Sequence, residues 1–356
     1  DLEARPRSTS LYLPTGMISM FPPELATGPM SLLQRQLCPA LSFGVVLDGS
    51  GAIGEYSIHP SLIRPTYRLT YEDVDEMLQL AIQGEPEIAE LAAWASRRQA
   101  WRSAQGSIEI QMPEASIKVK SDDEIVIELL DNSPARQLVA EMMILAGEVA
   151  GHYCQDHNLP VPFRSQPQPE LPPEEELLLL PAGPVRFCAL RRCMPRSELS
   201  ITPARHASLG LNTYTQVTSP IRRYTDLLAH FQLKAHLRGQ PLPFSSEQMQ
   251  EILYGVVTSV QEASSVERQT NRYWGLEYLR RHPDCIWQVL VLRWLREDDH
   301  LGLILLEDLG LELPHRFDRS VHLGDRLEVQ VTRADPHRDE IRFREMLPSE
   351  VQAVTY

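Results

Sequence analysis

The sequence predicts an α+β domain, a mixed sheet with packed helices, followed by a small all-β barrel. Three observations carry that expectation. Helical periodicity with recognisable N-caps recurs between residues 71 and 281; apolar hairpin patterns precede and interrupt it; beyond Cys285 only short strands separated by turn residues remain. A chain of 356 residues has room for two domains, or for one large domain with a small one.

The elements follow in order. Residues 1–70 alternate short apolar runs with Pro and Gly. Residues 41–47, the turn Asp48-Gly49-Ser50-Gly51 and residues 52–58 read as a β-hairpin. A helical pattern covers residues 71–104, broken near Gly84-Glu85-Pro86. Residues 108–112 and 125–130 read as strands, with a hairpin around Ser121-Asp122-Asp123. Ser133 and Pro134 open a long helix that ends near Asn158, with Leu138, Met142, Leu145 and Val149 as its apolar stripe. Residues 166–184 are rich in Pro and Glu and read as a surface loop. Ser219 is a good N-cap with Pro220 at the first helical position, and this helix runs to about Leu237, stopped by Gly239. Its buried stripe is Ile221, Tyr224, Leu228, Phe231 and Ala235. Ser245 with Gln248 reads as a capping box for a helix reaching Arg281, stopped by Pro283. Residues 286–295, 301–306, 326–333 and 341–343 are the strands of the barrel.

Composition bounds the function. Apolar residues at 43% with 23% charged residues describe a soluble globular chain. Thirty-four basic against 48 acidic residues give a net charge of −14, which argues against coating duplex nucleic acid over the whole surface. A local basic channel is compatible with it. The five cysteines form no C-x-x-C pair and read as reduced thiols of a cytoplasmic protein. No apolar run approaches the roughly 18 residues of a membrane span, and no signal peptide is visible, so no membrane partner is expected. The chain opens in mid-pattern on Asp1-Leu2-Glu3-Ala4 without an initiator Met, which reads as part of something longer or a processed form.

The most informative segment is residues 214–230. It places a polar, Arg-bearing turn at the start of an amphipathic helix. Arg222 is expected in the first helical turn, beside unpaired backbone N–H groups and the positive end of the helix dipole. Backbone and guanidinium donors converging there suit a phosphate. The run Thr218-Ser219-Pro220-Ile221-Arg222-Arg223-Tyr224, followed by Asp226 and His230, also resembles the signature of the RNB family, the catalytic domain of ribonuclease II and ribonuclease R. Those are processive 3′→5′ exoribonucleases. Blocks at residues 7–14, 20–25, 40–43, 69–74, 138–144, 205–211, 266–268 and 272–279 resemble the same domain in the same order. The resemblance spans residues 1–282, and residues 283–356 are similar to the OB-type RNA-binding domain that follows in such nucleases.

One departure stands out. The family's metal-binding aspartate cluster lies upstream of the block at Arg7, and nothing in this chain has its pattern. Asp122-Asp123 and Asp298-Asp299 read as solvated turn residues. The family's N-terminal RNA-binding barrels are also outside the chain, and residues 166–184 give no clear match.

The resemblance implies a metal site, normally with magnesium, whose carboxylates are not in this chain. Arg222 would neutralise charge on the scissile phosphate; the alternative is an ion pair with Asp226 one helical turn on. Arg223 is a candidate for RNA contact or for a supporting surface role. Tyr214, Thr218 and Ser219 are candidates for the RNA backbone, Ser219 being equally explained as a cap. Tyr71 matches an aromatic position near the RNA 3′ end, where a stacked base contributes about 1–3 kcal/mol, or it packs on the core at a helix start. Glu141 could accept a hydrogen bond from a ribose 2′-OH or form a buried salt bridge. Glu267 is a candidate for RNA contact or for a pair with Arg268 or Arg272, and His206 for backbone contact. His230 reads as a packing residue. Cys188 with Cys193 and His152 with His157 lack metal-ligand spacing. Two functions stand: a 3′→5′ exoribonuclease acting on single-stranded RNA as a monomer associated with an N-terminal segment, or a catalytically inactive RNB-fold RNA-binding or scaffold protein.

Overall fold

The computed structural model describes residues 3–80 and 85–346. The chain begins with a short helix α1 (Ala4–Arg7), the hairpin β1 (Leu11–Leu13) and β2 (Gly16–Ile18), and a turn of helix α2 (Pro23–Ala26). The long hairpin β3 (Cys38–Leu47) and β4 (Ile53–Ile63) follows, pairing from Cys38↔Ile63 to Leu47↔Ile53. Its tip is shaped as the sequence predicts: the Asp48 carboxylate accepts the N–H groups of Ser50 and Ala52, and Gly51 takes φ +95°.

Helices α3 (Tyr71–Leu80) and α4 (Pro86–Ala104) come next. The expected break at Gly84 lies outside the described residues; Pro86 is at the first position of α4, where its missing N–H costs nothing. The hairpin β5 (Glu114–Ser121) and β6 (Glu124–Leu130) turns at Asp122-Asp123. The strand expected at residues 108–112 is not there. Pro113 follows that stretch, whose Ile108 N–H donates instead to the Ser208 carbonyl, and the ladder starts at Glu114. Helix α5 (Pro134–Asp156) is capped by Ser133, whose side chain accepts the Arg136 N–H.

The short strand β7 (Phe163–Ser165) leads into the region expected as a loop, which instead holds the short helix α6 (Glu174–Leu179). Three glutamates in its first turn favour the helix dipole, and Arg186 donates to the Leu180 carbonyl just past its end. Helix α7 (Pro184–Cys193) and strand β8 (Glu198–Ser200), paired with β7, complete this part.

Helix α8 (Tyr224–Leu237) begins later than expected. The 36-residue helix α9 (Ser246–Arg281) carries the full capping box at Ser245 and Gln248. Beyond it, β9 (Ile286–Arg296), β10 (Leu301–Leu306), β11 (Leu311–Arg316), β12 (Arg326–Asp335) and β13 (Glu340–Glu345) form an antiparallel sheet ordered β11-β10-β9-β12-β13. The expected small barrel is this curled sheet: His315 of β11 meets Phe343 of β13 edge-on at 5.9 Å, while no ladder among the described residues joins the two outer strands.

Two of the hydrophobic cores hold the main elements together. Leu145, Val149 and Cys154 of α5 pack with Phe163, Leu233 and Ile58, joining α5, α8 and the β3–β4 hairpin. Leu276 and Leu279 of α9 belong to the other core, with Val289, Ile304, Leu313 and Val329 of the C-terminal sheet. Each fully buried side chain of this kind contributes about 1.5–3 kcal/mol. Two buried ion pairs, Arg98–Glu148 and Arg102–Glu141, join α4 to α5. Among the described residues no helix is long and apolar enough to cross a membrane.

Candidate active site

The site is built where the N-terminal segment crosses the turn before α8. The Arg222 carbonyl accepts the Ser10 N–H at 3.0 Å and the Thr9 hydroxyl at 3.1 Å. The Tyr224 N–H donates to the Ser8 carbonyl at 2.9 Å, and Thr9 bridges Arg223 in antiparallel fashion. These contacts hold Arg223 extended, at φ −135° and ψ 119°, so the helix starts at Tyr224. Ser219 is therefore not its N-cap and Pro220 is not its first residue. The Ser219 carbonyl accepts the N–H groups of Arg222 and Arg223, closing a turn, and its own N–H donates to Asp226 Oδ2 at 2.8 Å.

The two arginines separate. Arg223 turns inward: its Nη2 donates to Asp226 Oδ2 at 2.7 Å and to the Thr218 hydroxyl at 3.2 Å. Asp226 is fully buried, so Arg223 supplies the charge that lets a carboxylate stay there. Arg222 faces out. It is exposed and forms no ion pair among the described residues, and its guanidinium carbon is 5.9 Å from the Tyr12 ring centroid. The i,i+4 pair between Arg222 and Asp226 does not form because Arg222 precedes the helix.

Glu267 of α9 reaches the same place. Its Oε1 accepts the Tyr12 N–H at 2.7 Å, and it pairs with neither Arg268 nor Arg272; Arg272 pairs with Asp339 across to the C-terminal sheet. On the inner side, Tyr214 packs against α5 so closely that a Cβ on Gly147 would lie 2.9 Å from Tyr214 Cδ2 and 3.0 Å from the Thr215 carbonyl oxygen. Burial pushes the Tyr214 hydroxyl up. His206, edge-on to Tyr214 at 5.9 Å, is pushed down to about 4 by burial and by the Arg164 charge. His230 is lowered, chiefly by burial; its Nε2–H donates to the Val217 carbonyl at 2.7 Å, which ties α8 to the turn.

Arg222, Arg223, Thr218, Ser219, Tyr214, His206 and Glu267 are thus neighbours. Glu141 is not: it is buried and forms a two-pronged pair with Arg102, whose Nη1 also donates to the Leu209 carbonyl. Tyr71 stands apart at the start of α3, with the Arg136 guanidinium 4.2 Å above its ring. The sequence pattern singles out neither Tyr12 nor Arg164. The hydroxyl run Ser8-Thr9-Ser10, separated from Tyr12 by Leu11 inside a family-like block, is the signal that could have marked the former. Arg164 bonds the Ser197 hydroxyl and Gln216 Oε1, and burial draws its guanidinium down.

The described carboxylates do not fit a magnesium site. Asp226 is held by an arginine and a backbone N–H, Glu267 by Tyr12, and Glu141 by Arg102; among the described residues no group of three or more His, Cys, Asp or Glu could hold a metal ion.

The site thus presents one exposed arginine on a turn pinned by the N-terminal segment, in an α+β domain followed by an antiparallel sheet. The RNB domain model matches residues 1–180 and 184–239, and the chain belongs to the RNB family. It is 71% identical over 350 residues to an uncharacterized ribonuclease of Synechocystis, covering 98% of this chain and 53% of that protein. It is 41% identical over 359 residues to the chloroplastic/mitochondrial ribonuclease II of Arabidopsis thaliana, covering 98% of this chain and 44% of that protein. The chain therefore spans about half the length of these curated relatives. Its fold matches that of Mycoplasma genitalium RNase R, solved with ribose-methylated single-stranded RNA, at a TM-score of 0.82 and 19% identity, over 97% of this chain and 64% of that one. Yeast Ssd1, a pseudonuclease, matches at 0.68 and 19%, over 92% and 44%.

Proposed function

We propose that this chain is part of a 3′→5′ exoribonuclease that degrades single-stranded RNA by metal-dependent phosphodiester hydrolysis. Residues 1–282 serve as the catalytic unit and the sheet of residues 283–356 as an OB-type RNA-binding module. The observation that carries the reading is Arg222: an exposed guanidinium, unpaired among the described residues, on a carbonyl anchored by Ser10 and Thr9. A planar fork held in this way can give two N–H groups to one phosphate and balance the charge that develops there. Tyr12 and Glu267 flank it, and Arg223 holds the turn through Asp226. Thr218, Ser219, Tyr214 and His206 shape the turn and its underside, and Tyr71 offers a face for a base at a separate point. Magnesium would be held by carboxylates of the parent polypeptide outside this chain. The five cysteines are unpaired, in keeping with a reducing, cytoplasmic setting.

The test uses the full-length parent with 3′-end-labelled and 5′-end-labelled single-stranded RNA and magnesium. Stepwise shortening from the 3′ end is expected. Arg222→Lys should lower turnover by about 100- to 1000-fold, because lysine lacks the planar fork. Near-normal turnover in that variant ends the role given to Arg222. The second reading, an inactive RNA-binding protein, is favoured by the commitment of every candidate carboxylate to a protein partner. RNA retained by the parent without shortening establishes it.

A further inference from the structure

Residues 166–183 carry four glutamates and no Lys, Arg or His, and α6 lies within them. The helix is fixed in place. Leu180, just past its end, packs on the small core of Val185, Leu290 and Leu305, and Arg186 donates to the Leu180 carbonyl at 2.9 Å. The following Pro181 lies so close to Gly324 that a Cβ there would be 2.6 Å from Pro181 Cγ. The helix is thus seated on α7 and the C-terminal sheet, and its outer face is held in one orientation.

The four leucines of this stretch divide by face. Leu177 and Leu180, three residues apart, are half-buried, while Leu178 and Leu179 are 58% and 84% exposed. Leu179 is the most exposed large apolar side chain among the described residues. Glu174 and Glu175 stand four residues before the exposed pair, so their carboxylates rim it on the same side of the helix. Glu174, Glu175 and Glu176 are exposed and form no ion pair among the described residues. An ordered helix that keeps two leucines in water inside an acidic rim leaves apolar area for a partner to cover.

We infer that α6 is a docking helix for another protein, one that presents an apolar cleft rimmed by Lys or Arg. Leu178 and Leu179 enter the cleft, and the glutamates meet its cationic rim. Charge selects this occupant. An acidic segment without a cation repels nucleic acid and an anionic membrane surface alike, and a second copy of a chain of net charge −14 brings like charge with it. The inference is independent of the reading of the Arg222 site, none of whose residues lies on α6.

The probe is a fluorescent amphipathic helical peptide with leucines on one face and lysines flanking them, titrated with the full-length parent and read by anisotropy. The same peptide with glutamates in place of the lysines is the control. The lysine peptide should bind and the glutamate peptide should not. Leu178→Ser/Leu179→Ser should weaken binding by about tenfold or more. Glu174→Gln/Glu175→Gln/Glu176→Gln should weaken it and remove most of its salt dependence. Both variants should melt at the wild-type temperature, because every substituted side chain is exposed. Equal affinity of wild type and both variants, or no binding of the lysine peptide, overturns the inference. A photo-crosslinker carried at position 179 of the parent identifies the occupant. Attachment to the peptide supports the docking helix. Attachment within the parent, or to a second copy of it, with the peptide left unlabelled overturns it.

Discussion

Arg222 and Arg223 are adjacent in sequence and opposite in environment. Arg223 is neutralised by a fully buried Asp226, and Arg222 is exposed beside Tyr12. Only an arginine free of a protein carboxylate can give its whole fork to a phosphate, so the functional assignment rests on which of the two turned inward. His206 supports the same turn from below, and its environment has a consequence for pH. Its folded value is about 4 against an ordinary 6.5, so the unfolded chain takes up a proton that the folded chain refuses. The stabilisation is complete above about pH 6.5 and declines as the pH falls toward 4. Urea midpoints of the wild type and of His206→Gln at pH 7 and pH 5 check this. The wild type should lose more stability on acidification than the variant; equal losses would remove His206 as a cause.

At the scale of elements, the capped helices were readable in advance. Ser133 and Ser245 cap where the sequence places them, because each cap bond is local, within three residues. The start of α8 was not readable, because the partners of residues 222–224 are Ser8, Thr9 and Ser10, more than 200 residues away. Glu141 shows the same limit. Its sequence context allows an RNA contact or a buried ion pair, and only the packing of α4 on α5 brings Arg102 to it. Glu141→Gln should therefore destabilise the fold by about 3–5 kcal/mol, since it leaves the Arg102 charge buried without its counter-ion. Urea denaturation measures this, and a change well below about 1 kcal/mol would contradict the structural role.

At the scale of the whole molecule, α9 is the link. Its 36 residues span about 54 Å at 1.5 Å each. They supply Leu253 and Val256 to the core beneath α8, Glu267 to the Arg222 site, and Leu276 and Leu279 to the core of the C-terminal sheet. The sheet is thus not an independent appendage. Deleting residues 283–356 should expose Leu276 and Leu279, lower the melting temperature of what remains and increase binding of a hydrophobic dye. An unchanged melting temperature would show that α9 ends its structural work before Leu276.

The sequence by itself determined the RNB family resemblance, the ends of α5 and α9, the β3–β4 hairpin, the turn between β5 and β6 and the candidate status of Arg222, since periodicity, caps and motif order are local properties of the chain. Tertiary structure decided the rest: which arginine is exposed, that Asp226 serves Arg223, that Glu141 is paired and that Glu267 holds Tyr12. The Glu141–Arg102 and Glu267–Tyr12 contacts join partners far apart in sequence, and the Arg223–Asp226 pair, three residues apart, forms on a turn that Ser8, Thr9 and Ser10 hold in place. A charged group removed from water must find its counterpart, and only the packed fold brings that counterpart within reach.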